Sequence, residues 1–133
     1  MDRLFLDANV LFSAAYRSNA GLLRLWKLDN VRLCTSRYAL EEARINLNDE
    51  AQRERLAGLS MELEFFDAAM QDLPDDISLP DKDAPIMLAA IAAGATHLLT
   101  GDMRRFGVYF GKKVEGIFII SPGDYFRKKT GNR

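Results

Sequence analysis

The segment from Leu79 to Asp102 sets the tightest limits on what this chain can fold into. Residues 84–93 read Ala-Pro-Ile-Met-Leu-Ala-Ala-Ile-Ala-Ala, with no charge and no polar face. A helix of that kind has to be covered on more than one side. Gly94 suits the left-handed position just past a helix end. His97-Leu98-Leu99-Thr100 is short and apolar and runs into the turn residue Gly101, the pattern of an inner strand in a parallel sheet. Asp83 and Asp102 bracket this helix–strand unit and can both face one end of a sheet.

The rest of the chain follows the same grammar. Short apolar runs predict strands over 4–6, 31–35 and 116–121, and the intervening patterns predict helices over 10–16, 22–28 and 37–47. A long amphipathic helix is expected from 50 to 71, its stripe made of Leu56, Leu59, Leu63, Phe66 and Met70. Residues 103–110 read as a short irregular helix or loop. A last turn at 124–126 precedes a basic tail over 127–133, expected to fray. Residues 1–126 thus read as one domain. Alternating strands and helices imply right-handed crossovers and a three-layer α/β/α fold with a mostly parallel central sheet. Sites in such sheets form at the carboxyl ends of strands. Asp7 follows the first strand directly, Ser36 the second, Asp102 another after one glycine, and Ser121 ends the last.

Composition narrows the chemistry. Net charge is -1, so no global basic field points to a polyanion, and local clusters have to carry any such case. There is one cysteine, Cys34, and one histidine, His97, each inside a predicted strand. This excludes a disulfide framework and a zinc cluster and leaves no pattern for a Ser–His or Cys–His nucleophile. The N-terminus has no long apolar run, which leads us to expect a cytoplasmic protein that does not engage a membrane. Carboxylates remain in quantity, and they favour hard, oxygen-loving cations.

Each acid admits two readings. Asp7 is a helix cap or a ligand held at a strand end. Asp81 and Asp83 either support a helix start through its dipole, screened by Lys82, or face a site. Asp102 is a turn residue or a ligand. Glu41 has Arg37 and Arg44 at helix-neighbour spacing, the environment of a solvated ion pair. Glu42 has Tyr38, Ala39, Ile45 and Asn46 at those positions and no cation, so it is the better candidate to point at a site. Crowded carboxylates repel one another unless a cation sits among them. Mg²⁺ or Mn²⁺, one ion or two, meets that need and can orient water for attack on a phosphodiester.

The motifs Leu-Asp-Ala-Asn-Val-Leu at 6–11, Leu-Glu-Glu-Ala at 40–43, Lys-Asp-Ala at 82–84 and Leu-Thr-Gly-Asp at 99–102, with Ile-Ile-Ser-Pro at 119–122, resemble the PIN-domain family in order and spacing. The resemblance implies a metal-dependent nuclease, usually acting on RNA, and many small members are toxins of toxin–antitoxin pairs. Carried over, the family's acids fall on Asp7, Glu42, Asp83 and Asp102 as catalytic metal ligands, with Glu41 the alternative in the second motif. Asn9 and Thr100 fall on supporting polar positions. Met103-Arg104-Arg105 stands where some relatives have a further acid, which leaves one ion or two open. Arg104, Arg105 and Lys82 are candidates to contact substrate phosphates. The implied partners are an RNA substrate and an antitoxin, and the breadth of the 56–70 stripe suggests a homodimer. Two other classes stand beside this reading. One is a non-catalytic RNA- or protein-binding module with a degenerate acidic pocket. The other is a phosphatase with Asp7 as nucleophile, which asks for a second Asp where this chain has Asn9.

Overall fold

The computed structural model describes residues 1–67, 73–81 and 83–131 of the 133-residue chain. In chain order the elements are β1 (Asp2–Leu6), α1 (Ala8–Tyr16), a 3-10 turn (Gly21–Lys27), β2 (Val31–Thr35), α2 (Arg37–Asn46), α3 (Glu50–Ser60) and β3 (Glu64–Phe65). After these come α4 (Ala84–Ala92), β4 (His97–Leu99), α5 (Met103–Phe106), a second 3-10 turn (Gly107–Tyr109), β5 (Lys113–Val114), β6 (Ile117–Ile120) and α6 (Pro122–Gly131). The strands form one six-stranded sheet in the order β3-β2-β1-β4-β6-β5. Every pairing is parallel except that of the edge strand β5 with β6. Helices cover both sides, giving the expected α/β/α arrangement.

The order of the strands positions the site. From β1 the chain builds outward through β2 and β3, then returns to place β4 on the other side of β1. The carboxyl ends of β1 and β4 therefore flank the point where strand order reverses, the place where open parallel sheets leave a crevice. β1 lies between two neighbours and beneath helices, so Leu4, Phe5 and Leu6 are all fully buried. Alternation is lost because both faces are covered. In α4, Ile86, Met87, Leu88, Ala89 and Ala90 are buried, as its charge-free sequence requires, and Gly94 adopts φ +64° just after it. Among the described residues no helix is long and apolar enough to cross a membrane.

Three segments differ from their sequence patterns. The 50–71 helix ends at Ser60, and Glu64–Phe65 joins the sheet beside β2, with the Phe66 amide donating to the Thr35 carbonyl at 2.9 Å. The free edge of β2 offers hydrogen bonds that a helix through Glu64, Phe65 and Phe66 would forgo, and the two aromatic residues are mediocre helix formers. Leu56, Leu59, Leu63 and Phe66 still reach the core, from separate elements rather than one stripe, while Met70 lies outside the described residues. The 22–28 helix is a 3-10 turn. At the other end of the chain, α6 starts at Pro122 and carries the basic run Arg127-Lys128-Lys129 within a helix.

Candidate active site

Asp7 leaves β1 just where α1 begins, and the helix-cap reading of its sequence position holds. Its Oδ1 accepts the Ala8 amide at 2.7 Å and so caps α1. Its Oδ2 accepts the Thr100 hydroxyl at 2.8 Å. Leu6 pairs with Leu99, so the residues that follow, Asp7 and Thr100, emerge side by side at the ends of adjacent strands. Asn9 ties the two together. Its Nδ2 donates to Asp7 Oδ2 and to Thr100 Oγ1, both at 3.3 Å, and its Oδ1 accepts the Gly101 amide at 2.9 Å. Thr100 Oγ1 also accepts the Asp102 amide at 3.1 Å. Asp102 Oδ1 in turn accepts the amides of Arg104 and Arg105 at the start of α5.

Charge links Asp7, Asp83 and Asp102 through Arg105. Asp7 is fully buried, and burial pushes its carboxyl above the usual range. Thr100, the Ala8 amide and Arg105 act against that, and the charge of Asp83 adds to it. Arg105 bridges two further acids: its Nε lies 2.9 Å from Asp102 Oδ2 and one terminal nitrogen 3.5 Å from Asp83 Oδ1. Asp83 occupies the position that would cap α4, yet its side chain makes no capping hydrogen bond. Instead this carboxylate, 1% exposed, is turned towards Arg105.

Glu42 stands on α2, whose start Ser36 fixes by accepting the Ala39 amide at 3.1 Å. It lines a cavity of about 320 Å³ with Asn9, Phe12, Asn46 and Arg105, the arginine that pairs with Asp83 and Asp102. Tyr38, one turn earlier, hydrogen-bonds Glu42, and its phenol is pushed up by burial and then by the charge of Glu42 and of Asp83. Glu41 is exposed and pairs with Arg44 Nε at 2.9 Å, which lowers its carboxyl. Arg104 is exposed and lines a neighbouring cavity with Asn9, Gly101 and Asp102. Lys82 lies outside the described residues.

A family model for the PIN domain matches residues 3–104. The chain belongs to the PIN-domain family. No curated protein matches its sequence. Among solved structures, it is similar to a chain in the crystal structure of VapBC2 from Rickettsia felis bound to a DNA fragment from their promoter. The TM-score is 0.64 at 17% identity, over 88% of this chain and 96% of that one, a likeness of fold. PIN domains as a family are nucleases and generally use divalent metal ions.

The donors of this PIN domain suit such an ion in kind: all are oxygens, most are anionic, and two of the carboxylates are buried where an uncompensated charge is costly. Among the described residues, no three Asp, Glu, His or Cys side chains stand together as a ready ligand group. Positive charge between Asp83 and Asp102 comes instead from Arg105. The sequence contained half of that arrangement, since Arg105 follows Asp102 by three residues. Its contact with Asp83 needs the tertiary fold. Tyr38 was visible only as a non-cationic neighbour of Glu42, and the same helical spacing brings its hydroxyl to that carboxylate.

Proposed function

We propose that this PIN domain is a metal-dependent endoribonuclease acting in the cytoplasm, in which Asp7, Glu42, Asp83 and Asp102 hold one or two Mg²⁺ or Mn²⁺ ions directly or through water. One observation carries the reading above all: Asp83 is buried at a helix start that it does not cap, and Arg105 links it to Asp102. When bound, the cation supplies Lewis acidity to the phosphate and lowers the pKa of the attacking water. The chain's own groups position and hold. Thr100 and Asn9 fix the Asp7 carboxylate so that it does not reorganise during the reaction. Arg104, Arg105 and Lys82 contact substrate phosphates. No side chain acts as a covalent nucleophile.

The toxin of a toxin–antitoxin pair is the biological setting that best fits a small PIN domain with this fold. The related Rickettsia felis structure is of VapBC2. Exposed Tyr16 and Ile45, on α1 and α2, supply apolar surface for an antitoxin or a second copy of the chain. One observation favours a second reading: Arg105 already neutralises two of the acids, as in a non-catalytic module with a degenerate pocket. Cleavage of a labelled single-stranded RNA by wild type and Asp7→Asn, in Mg²⁺, Mn²⁺ and EDTA, separates the two. Metal-dependent cleavage lost in a folded Asp7→Asn supports the nuclease. RNA binding without turnover supports the module.

A further inference from the structure

Glu42 and Asp102 lie in the middle of a longer cleft whose two arms differ in charge. Asn9 lines the cavity that holds Glu42 and also the one that holds Asp102, and so joins them. On the Glu42 side the cleft continues, through shared Phe12 and Asn46, into a cavity lined by Asn48, Asp49 and Gln52. On the Asp102 side, cavities of about 590 and 310 Å³ share Ser13, Leu22 and Gly123 and therefore run into each other. That second arm carries Arg104 near the acids and Arg17 and Arg24 at its far end.

Position sets these three arginines apart from Arg3, Arg37, Arg53 and Arg55, which also form no ion pair among the described residues but line none of these cavities. Arg32, Arg44, Arg105 and Arg127 pair with carboxylates, whereas among the described residues Arg17, Arg24 and Arg104 make no ion pair. Arg24 is held in place all the same, its guanidinium carbon 4.2 Å from the centre of the Phe126 ring. A guanidinium fixed by an aromatic face keeps its N–H fork for an anion and loses less freedom on binding one. The opposite arm has Asp49 and no exposed cation in its lining beyond Arg105.

We propose, building on the nuclease reading, that single-stranded RNA engages this protein asymmetrically. Its backbone runs from the acid cluster along the Ser13–Leu22–Gly123 groove, where Arg104, Arg17 and Arg24 hold successive phosphates. The strand leaves by that arm rather than along α2 and α3. The groove then sets how much flanking sequence on one side of the scissile bond the protein needs. A single strand fits because its flexible backbone can follow a narrow groove, and phosphate contacts supply affinity without reading bases.

The test is binding of a labelled single-stranded RNA of about ten nucleotides, by fluorescence anisotropy in EDTA across a salt series. The double variant Arg17→Gln/Arg24→Gln is expected to bind about tenfold more weakly at low salt. Its slope of log affinity against log salt should fall by about 1.4, that is about 0.7 for each lost phosphate contact. Gly123→Glu adds a negative charge to the groove from the first turn of α6, where an acid suits the helix dipole. It should weaken binding with an unchanged melting temperature. Asn48→Ala, on the other arm, should bind as wild type does. Wild-type affinity and slope in both groove variants overturn the proposal, as does tighter binding of the corresponding single-stranded DNA. The cleavage assay is independent: RNA held through Arg17 and Arg24 but never cut leaves the groove standing and refutes the nuclease. Asp83-dependent cleavage that ignores both arginines does the reverse.

Discussion

Replacing Thr100 by valine tests whether the site is held by the network at the ends of β1 and β4. The substitution keeps shape and removes one hydroxyl. That hydroxyl donates to the fully buried Asp7 at 2.8 Å and accepts from the Asp102 amide at 3.1 Å and from Asn9 at 3.3 Å. A hydrogen bond to a charged group is worth about 1.5–3 kcal/mol. The Asp102 amide is only part-buried and can turn to water, which adds about 0.5 kcal/mol. The expected destabilisation is about 2–3.5 kcal/mol, which for a chain of this length lowers the melting temperature by about 8–14 °C. Thr100→Ser keeps the hydroxyl and should cost about 1 kcal/mol for the lost methyl. Urea denaturation of Thr100→Val, Asp7→Asn and the double variant completes a cycle, with an expected coupling of about 1–2 kcal/mol. If Thr100→Val lies within about 0.5 kcal/mol of wild type, or costs the same in the Asp7→Asn background, the network does not hold Asp7.

Arg105→Gln removes the cation between Asp83 and Asp102. Because Asp83 is buried and Arg105 partly exposed, the cost without metal should be about 2 kcal/mol. Adding Mn²⁺ should then raise the melting temperature of the variant more than that of wild type; equal shifts would mean that metal and Arg105 do not share the acids. His97 offers a pH test away from the site, packed between Phe118 and Tyr125. Burial holds its imidazole below the ordinary range; Asp2 opposes this and Lys128 adds to it. The unfolded chain therefore takes up that proton first, near pH 6.5, and stability falls as pH drops from there through the lower folded value. His97→Gln should flatten that stretch of a melting-temperature profile, and parallel curves would show that the imidazole is not responsible.

How much of this was legible depended on whether the cause was local. A ten-residue run without charge can only be buried, and α4 with Gly94 at φ +64° follows from that. Glu41 and Glu42 were separable by helical spacing, since Arg44 sits within reach of one alone. The segment after Ser60 was not legible. Leu63, Phe65 and Phe66 suit a helix stripe and a sheet edge equally, and the free edge of β2, about thirty residues earlier in the chain, decides between them. Asp7 looked like either a cap or a site residue because it is a cap and also pairs with Thr100, a contact spanning 93 residues. The bridge from Arg105 to Asp83 has the same origin. Parallel pairing of β1 with β4 creates that neighbourhood, and no local pattern encodes it.

The most direct test of the central claim is to map new 5′ ends in total cellular RNA exposed to the purified protein. Wild type is compared with Asp83→Asn, each shown to be folded, in Mg²⁺ or Mn²⁺ and in EDTA. We predict discrete new ends only with wild type and only with metal, at positions that name the target. No new ends from folded wild type, or the same ends from Asp83→Asn, would contradict a carboxylate-held metal nuclease at this site.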